Sequence, residues 1–323
     1  MRNQFSKWLS AAALLLVVAA TPAWAAYPDK PVKIIVGFAP GGGNDIIARL
    51  VAKELTLIWG QPVVVENRPG ANGAIGMQAV AKAPADGYTL ALATAGPSTM
   101  SAALNKLPFD VIKDFTPIIN IVDGVQALAV NAKVPVTNVR EFVNLAKQTS
   151  PPMSYSSPGI GNSGHYAMEM LKQMGKFELT HVAYKGAAPA LNDLIAGHVQ
   201  AYFTSIAALL PHIESGTVKV LAVTSKERLP SLPNVPTMAQ AGLPEFDCPV
   251  FGGLLGPAGM SAAIVQKINS DANQALQSVS LRESLLMNGL IPVGGTVQEF
   301  VRFLPYDLER WKTVVRKGNI KPE

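Results

Sequence analysis

Four short segments combine glycine, hydroxyl and amide residues in an order suited to holding an anion. Phe38-Ala39-Pro40-Gly41-Gly42-Gly43-Asn44-Asp45 follows an apolar run and opens a helical pattern. Glycines let the backbone turn tightly and expose its N–H groups. A helix N-terminus adds about half a positive charge and several unsatisfied donors. Together they make a natural anion site. The same residues also suit a plain strand-to-helix turn capped by Asn44 or Asp45, although three successive glycines exceed what one turn requires. Ser156-Ser157-Pro158-Gly159-Ile160-Gly161-Asn162-Ser163-Gly164-His165 repeats the arrangement with hydroxyls added. Tyr184-Lys185-Gly186 sets a lysine at a strand end, where it either reaches a carboxylate or serves as plain surface. Thr204-Ser205 stands at another strand end before a helix. Open α/β sheets take ligands outside the C-terminal ends of their strands, and all four segments meet that rule on opposite sides of an expected cleft.

Several enzyme-like readings compete for these loops. A nucleotide-phosphate loop needs Gly-Lys-Ser/Thr after its turn, and Asn44-Asp45 stands there instead. A dinucleotide fingerprint finds its first two glycines in Gly41 and Gly43 and its acid in Glu66, but Ile46 fills a position that needs a small residue. Gly161-Asn162-Ser163-Gly164-His165 approaches a hydrolase elbow, which requires glycine at position 165. A secreted α/β hydrolase using Ser163, with His165 or His181 and Asp193, is the enzyme alternative. His165, His181, His198 and His212 form no i,i+4 pair backed by a third ligand, so no metal site is expected. Nor do these loops carry paired carboxylates for acid–base work. No cofactor is expected.

Strands and helices must alternate to place these corners. Val32–Phe38 reads as a buried strand. Asp45–Trp59 reads as a helix, with Ile47, Leu50, Val51, Leu55 and Ile58 on one face. Strand 62–66, helix 74–83 and strand 88–93 complete a βαβαβ unit, which implies a parallel sheet with right-handed crossovers. Two apolar segments, 117–122 and 125–130, follow with only Asp123-Gly124 close between them. A helix over 139–147 carries Asn138 and Glu141 at capping-box spacing. Strands at 153–156, 179–184, 199–204 and 219–224 alternate with helices at 165–174, 189–196 and 207–215. Residues 225–249 hold five prolines and predict an ordered loop with one short helix. A strand at 250–255 and helices over 262–277 and 297–317 then return to the first domain. The expected division is 26–124 plus 250–323 for one domain and 125–249 for the other.

Arg2 and Lys7, an apolar run from Leu9 to Ala20 and Ala23-Trp24-Ala25 follow the order of a secretory signal. Residues 1–25 are therefore expected to be a signal peptide cleaved near Ala25, with export to the periplasm. The apolar run is shorter than the roughly 20 residues a spanning helix needs. Cys248 is the sole cysteine, which excludes an internal disulfide and leaves stability to packing. A chain of 323 residues, less its leader, exceeds the usual range of one core. Lys and Arg number 27 against 22 Asp and Glu, but they are dispersed, which argues against nucleic-acid binding.

Many further motifs stand in a recognisable order. They include Tyr27-Pro28-Asp29-Lys30-Pro31-Val32, Phe38-Ala39-Pro40-Gly41-Gly42 with Asp45, and Glu66-Asn67-Arg68-Pro69-Gly70-Ala71. Pro84-Ala85-Asp86-Gly87-Tyr88-Thr89-Leu90, Tyr184-Lys185-Gly186, Pro211-His212-Ile213, Leu221-Ala222-Val223-Thr224-Ser225 and Pro257-Ala258-Gly259 continue the series. With these motifs the chain resembles the Bug-type substrate-binding proteins of tripartite tricarboxylate transporters over essentially its whole mature length. The resemblance implies a type II-like periplasmic binding fold: two α/β domains, two crossover strands, and a ligand cleft that closes like a flytrap. It implies a non-enzymatic monomer that binds one carboxylate through Gly42 and Gly43 on one side and Gly161, Asn162 and Ser163 on the other. Thr94 and Ala95 are implied to line the same cleft. Phe38, Gly41, Asp45, Ser157, His165, Lys185, Gly186 and Thr204 complete the candidate ligand-binding set. Delivery is implied to membrane permease subunits of such a transporter; a sensory binding protein serving a membrane receptor shares the same fold and site. Relatives often carry an acid where this chain has Thr204, and tryptophan where it has Phe251; both positions face the ligand's distal end in relatives. A distal pocket without fixed negative charge suits a mono-, di- or tricarboxylic acid, aromatic ones included, rather than an amino acid.

Overall fold

An apolar run with no polar face must be covered on both sides, and VKIIV becomes such a strand. A computed structural model describes residues 27–184, 186–248 and 250–321. The expected signal peptide, residues 1–25, lies outside them. Strand β1 (Val32–Val36) exposes only Lys33. Helix α1 (Gly43–Trp59) covers the sheet with Ile47, Ala48, Val51, Ala52 and Leu55. Strand β2 (Val63–Asn67), helix α2 (Ala74–Ala81) and strand β3 (Thr89–Thr94) follow. β1 pairs in parallel with both β2 and β3. After the short helix α3 (Ser101–Leu104), strand β4 (Phe115–Gly124) runs almost directly into β5 (Gln126–Asn131). Val125 alone separates them, yet they belong to different sheets. This is where the chain passes from the first sheet to the second.

The second domain holds α4 (Val139–Gln148), β6 (Ser154–Ser157), α5 (Ser163–Gly175) and β7 (Thr180–Ala183). It continues with α6 (Ala187–Ala196), β8 (Ala201–Ser205), α7 (Ile206–Glu214) and β9 (Val218–Val223). Its five strands lie in the order β7-β6-β8-β5-β9, with β5 antiparallel to both neighbours. The chain then returns as β10 (Val250–Pro257), α8 (Ala262–Ala275), α9 (Val279–Met287), β11 (Leu290–Pro292) and α10 (Val297–Gly318). β10 slots between β3 and β4, antiparallel to both, in the six-stranded order β11-β4-β10-β3-β1-β2. Gly253 permits that fit: a Cβ there would stand 2.6 Å from the Ile119 carbonyl oxygen and 2.6 Å from the Phe300 ring.

The structure departs from sequence expectation at several points. Residues 225–249 contain no helix among the described residues. Prolines remove the amide donors a helix would use, and the segment is held instead by turns and a bridge from Val223 to Thr237. The helix expected over 262–277 ends at Ala275, where Ser278 caps the separate α9 with its side chain on the Leu281 amide. At α4, Asn138 caps the Glu141 amide as expected, but the Glu141 carboxylate reaches the Thr137 amide at 2.7 Å rather than that of Asn138.

α10 ties the two domains together. Phe300, Leu304 and Trp311 are buried along one stripe. Trp311 meets Tyr166 of α5 at 5.2 Å between ring centroids, and the Gln173 amide of α5 donates to the Val314 carbonyl at 3.2 Å. Buried Asp307 accepts from the Thr99 hydroxyl at 2.5 Å and from the Trp311 indole at 3.0 Å. Trp311→Ala is expected to lower unfolding free energy by about 3–5 kcal/mol, as read by urea denaturation; a loss below about 1 kcal/mol would show that α10 is not a structural tie.

Candidate functional site

The first glycine corner is built by one carboxylate. Gly41 adopts a left-handed φ of 84°, and its amide donates to Asp45 Oδ2 at 2.9 Å. The Arg49 guanidinium donates to the same oxygen at 2.8 Å, and the Asn67 amide donates to Oδ1 at 2.9 Å. Asn67 also holds the Phe38 carbonyl at 3.0 Å. The Arg49 hydrogen bond leads, with Gly41 and Asn67, in holding the Asp45 carboxyl down at about 2, against the opposing effect of burial. Asp45 therefore spends its carboxylate on the loop and lines neither chamber described below, and the Gly41 amide is already used. Gly42 caps α1 with its backbone, and the amides of Gly42, Gly43 and Asn44 have no acceptor among the described residues. Gly41, Gly43 and Asn44 line the cleft.

The second corner is braced by histidine. The Gly161 amide donates to His165 Nδ1 at 3.1 Å, so it too is unavailable to a guest. Asn162 Oδ1 accepts the amides of Gly164 and His165 at 2.9 and 3.1 Å, capping α5. His165 stacks on His181 with centroids 4.1 Å apart, and His181 Nε2 meets the buried Ser157 hydroxyl at 2.6 Å. Burial pushes His165 down to about 3 and His181 to about 4, so both are neutral at physiological pH. Ser157, Gly161 and His165, expected as ligand contacts, line neither chamber and stand behind the loop, where they fix its shape. The triad alternative fails on the same geometry. The Ser163 hydroxyl accepts from Gln126 Nε2 at 2.5 Å, while His165 and His181 are committed elsewhere.

Between the corners lies a cavity of about 440 Å³. It opens into an outer chamber of about 720 Å³, which shares Asn44, Thr94, Asn162 and Ser163 with it. Thr94, Asn162, Ser163 and Thr204 line the inner cavity, whereas Phe38 and Gly186 face the outer chamber. Ala95 is fully buried beneath the wall, its amide bound to the Phe251 carbonyl at 3.3 Å, so it does not line the cleft. Lys185 lies outside the described residues. Four helices begin at the cavity: α1 at Gly43, α5 at Ser163, α6 at Ala187, and α7 near Ala207. Their N-termini supply partial positive charge. No Asp, Glu, Lys, Arg or His lines either chamber among the described residues. Nor do three His, Cys, Asp or Glu side chains gather as a metal site among the described residues.

Sequence reasoning missed Gln126, Tyr202 and the Asn288-Gly289-Leu290 stretch, all on the inner wall. Gln126 Oε1 and the Tyr202 hydroxyl are buried without a hydrogen-bond partner among the described residues. The position of Gln126 just past the crossover Gly124-Val125 was the available signal. Tyr202 sits mid-strand and looks like core, and Asn288-Gly289 looks like an ordinary turn.

The sequence matches the family described as "Tripartite tricarboxylate transporter family receptor" over residues 47–320. Protein BugT of Bordetella pertussis is 34% identical over 297 residues, covering 91% of each chain. An R. palustris protein solved with adipate superposes with a TM-score of 0.82 at 35% identity, covering 92% of this chain and 100% of that one. MatC of Rhodopseudomonas palustris, solved with malate, gives a TM-score of 0.77 at 30% identity, covering 90% of this chain and 100% of the other.

Gly43→Pro deletes one lining amide with little strain. Gly43 is the first helical residue, where proline is favoured; Gly42 before it is extended, and a Cβ at 43 meets nothing within 4 Å. Calorimetry should show carboxylate affinity reduced about tenfold or more with an undiminished melting temperature; unchanged affinity would remove this amide from the site. Asp45 titrates below its unfolded value, so its contribution to stability is present above about pH 4 and is lost as pH falls through about 2. Asp45→Asn is expected to flatten melting temperature against pH across that window, and parallel wild-type and variant curves would contradict the brace.

Proposed function

The chain belongs to the tripartite tricarboxylate transporter receptor family of periplasmic solute-binding proteins, and on that premise we propose that its cleft captures a small organic carboxylate for membrane permease subunits of a tripartite tricarboxylate-type transporter. Residues 1–25 direct export and are then removed. The lobes 26–124 with 250–323 and 125–249 close on the guest. Binding is stoichiometric and leaves the ligand chemically unchanged.

One observation carries this reading. Four helix N-termini meet at a cavity with no charged side chain among its described lining residues. A carboxylate moved out of water loses several kcal/mol of solvation. Amide donors and helix dipoles already in place offset that loss without reorganisation. An amino acid brings an ammonium as well, and this wall has no described carboxylate to receive it. Relatives solved with adipate and with malate support the same ligand class.

The test is calorimetry of the purified protein against adipate, malate, aspartate and glutamate, with native mass spectrometry of the recovered ligand. One carboxylic acid should bind per chain and be recovered intact, with the amino acids weaker by about tenfold or more. Selective tight binding of aspartate or glutamate, or chemical conversion of the bound acid, would reject the assignment.

A further inference from the structure

Strand β4 does not run regularly to its end. Its pairing with β10 matches Gly252 to Val122 and Gly253 to Asn120, which leaves Ile121 as the extra residue of a bulge. Residues three apart on a regular strand point to opposite faces. The bulge lets Asn120 and Asp123 meet, and Asn120 Nδ2 donates to Asp123 Oδ1 at 3.1 Å. Asn120 Oδ1 is buried and has no partner among the described residues. Leaving a buried carbonyl oxygen unpaired is costly, so the site calls for a donor. A protonated carboxyl offers one. It pairs with an amide reciprocally: the amide N–H donates to one oxygen, and the acid O–H donates to the amide oxygen. The surroundings of Asp123 favour that form. Its partners across the sheet, Phe251 of β10 and Ile291 of β11, bring no charge. The segment 224–249 brings Lys226 and Asp247, and α10 brings Arg310. The Arg310 guanidinium is already divided between Asp307 and Asp247, the latter at 2.8 Å.

We propose that Asp123 keeps a proton and shares it with Asn120 Oδ1 at the neck between the two sheets, and that losing this proton weakens carboxylate capture as pH rises. The coupling rests on the carboxylate-capture reading; the shared proton does not. Position supplies the coupling. Asp123 stands just before Gly124 and Val125, where the chain leaves the first sheet, and opposite Phe251, where the return enters it. Gly124 pairs with both Val250 and Leu290. Gly124, Val125, Val250, Phe251 and Leu290 all line the inner cavity. One titrating group thus sits directly behind the piece of wall from which both connections depart. With the proton in place the pair is neutral and both reciprocal hydrogen bonds close. Without it, a carboxylate is held out of water and Asn120 Oδ1 loses its donor, so this end of β4 favours a more hydrated arrangement. Capture then works against that rearrangement. Burial pushes the Asp123 carboxyl up and Asp247 adds to this, while the Asn120 hydrogen bond, Lys226 and Arg310 oppose it. Because the folded value stands above the unfolded one, the stabilisation is complete below about pH 4 and is lost as pH rises through the folded value.

Carbon NMR of the aspartate-labelled protein reads the proton directly, with the Asp123 carboxyl resonance identified by its loss in Asp123→Asn. It should titrate above the ordinary aspartate value of about 4. Calorimetry with adipate from about pH 5 to about pH 9 reads the coupling. Asp123→Asn keeps a reciprocal amide pair and cannot ionise, so it carries the ligand's own titration and serves as the reference. Wild-type affinity should match the variant at the acid end and fall about tenfold below it at the alkaline end. The wild-type melting temperature should drop relative to the variant over the same interval. If the variant does not fold, the wild-type protein alone still decides the matter: binding should take up protons, seen as heats that differ between buffers of different ionisation enthalpy. An Asp123 carboxyl titrating at the ordinary value would overturn the shared proton and the switch with it. Parallel affinity curves, or heats independent of the buffer, would overturn the coupling. Failure of both proteins to bind adipate at any pH, with the titration still raised, would reject the capture reading and the coupling with it, while the shared proton stands.

Discussion

An anion leaves water only for a place where donors already stand still. In the carboxylate capture proposed for this chain, that requirement falls on main-chain amides, because the described cleft wall has no cationic side chain. Amides are weaker than a guanidinium one by one, and their strength here comes from number and alignment at helix N-termini. Backbone donors cannot swing toward a guest as a lysine can. The loops that carry them must therefore be held from behind, and much of the local chemistry is given to that task.

The holding is done by the residues that look most reactive. Asp45 uses both carboxylate oxygens on Gly41, Arg49 and Asn67. His165 gives a ring nitrogen to the Gly161 amide and stacks against His181. Each removes one glycine amide from the donor set in exchange for a fixed loop. The consequence is a division of labour in which, among the described residues, Asp45 and the two histidines sit behind the wall and neutral groups form it. These bracing groups keep their charge state over the physiological range, because the two buried histidines remain neutral and the Asp45 carboxylate remains ionised.

The two corners lie on different sheets, so the fold must let them approach. The chain passes from one sheet to the other at Val125 and returns to β10 at Val250. Both residues line the inner cavity, so the connections form part of the wall they allow to close. α10 joins the domains away from the glycine corners, through Trp311 on Tyr166 and Gln173 on the Val314 carbonyl. The outward connection is the single residue Val125, and the return runs through the proline-rich segment 224–249.

The fold and the corners were legible because they depend on local order. Strand-helix alternation, glycine runs at strand ends and the Asn138 cap are encoded within a few residues, and the family motifs add their sequence order. What those residues do once placed depended on tertiary contacts. Asp45 as a brace required Asn67, 22 positions away, and the role of His165 required His181 from the next strand. Tyr202 reads as core from its strand position, and the cavity beside it exists only when the wall from β10 and the α9–β11 connection arrives late in the chain. The sequence by itself therefore determined which segments bring glycines and helix starts to the strand ends. The packed structure decided which amides remain free, because a donor is free only when no distant partner has taken it.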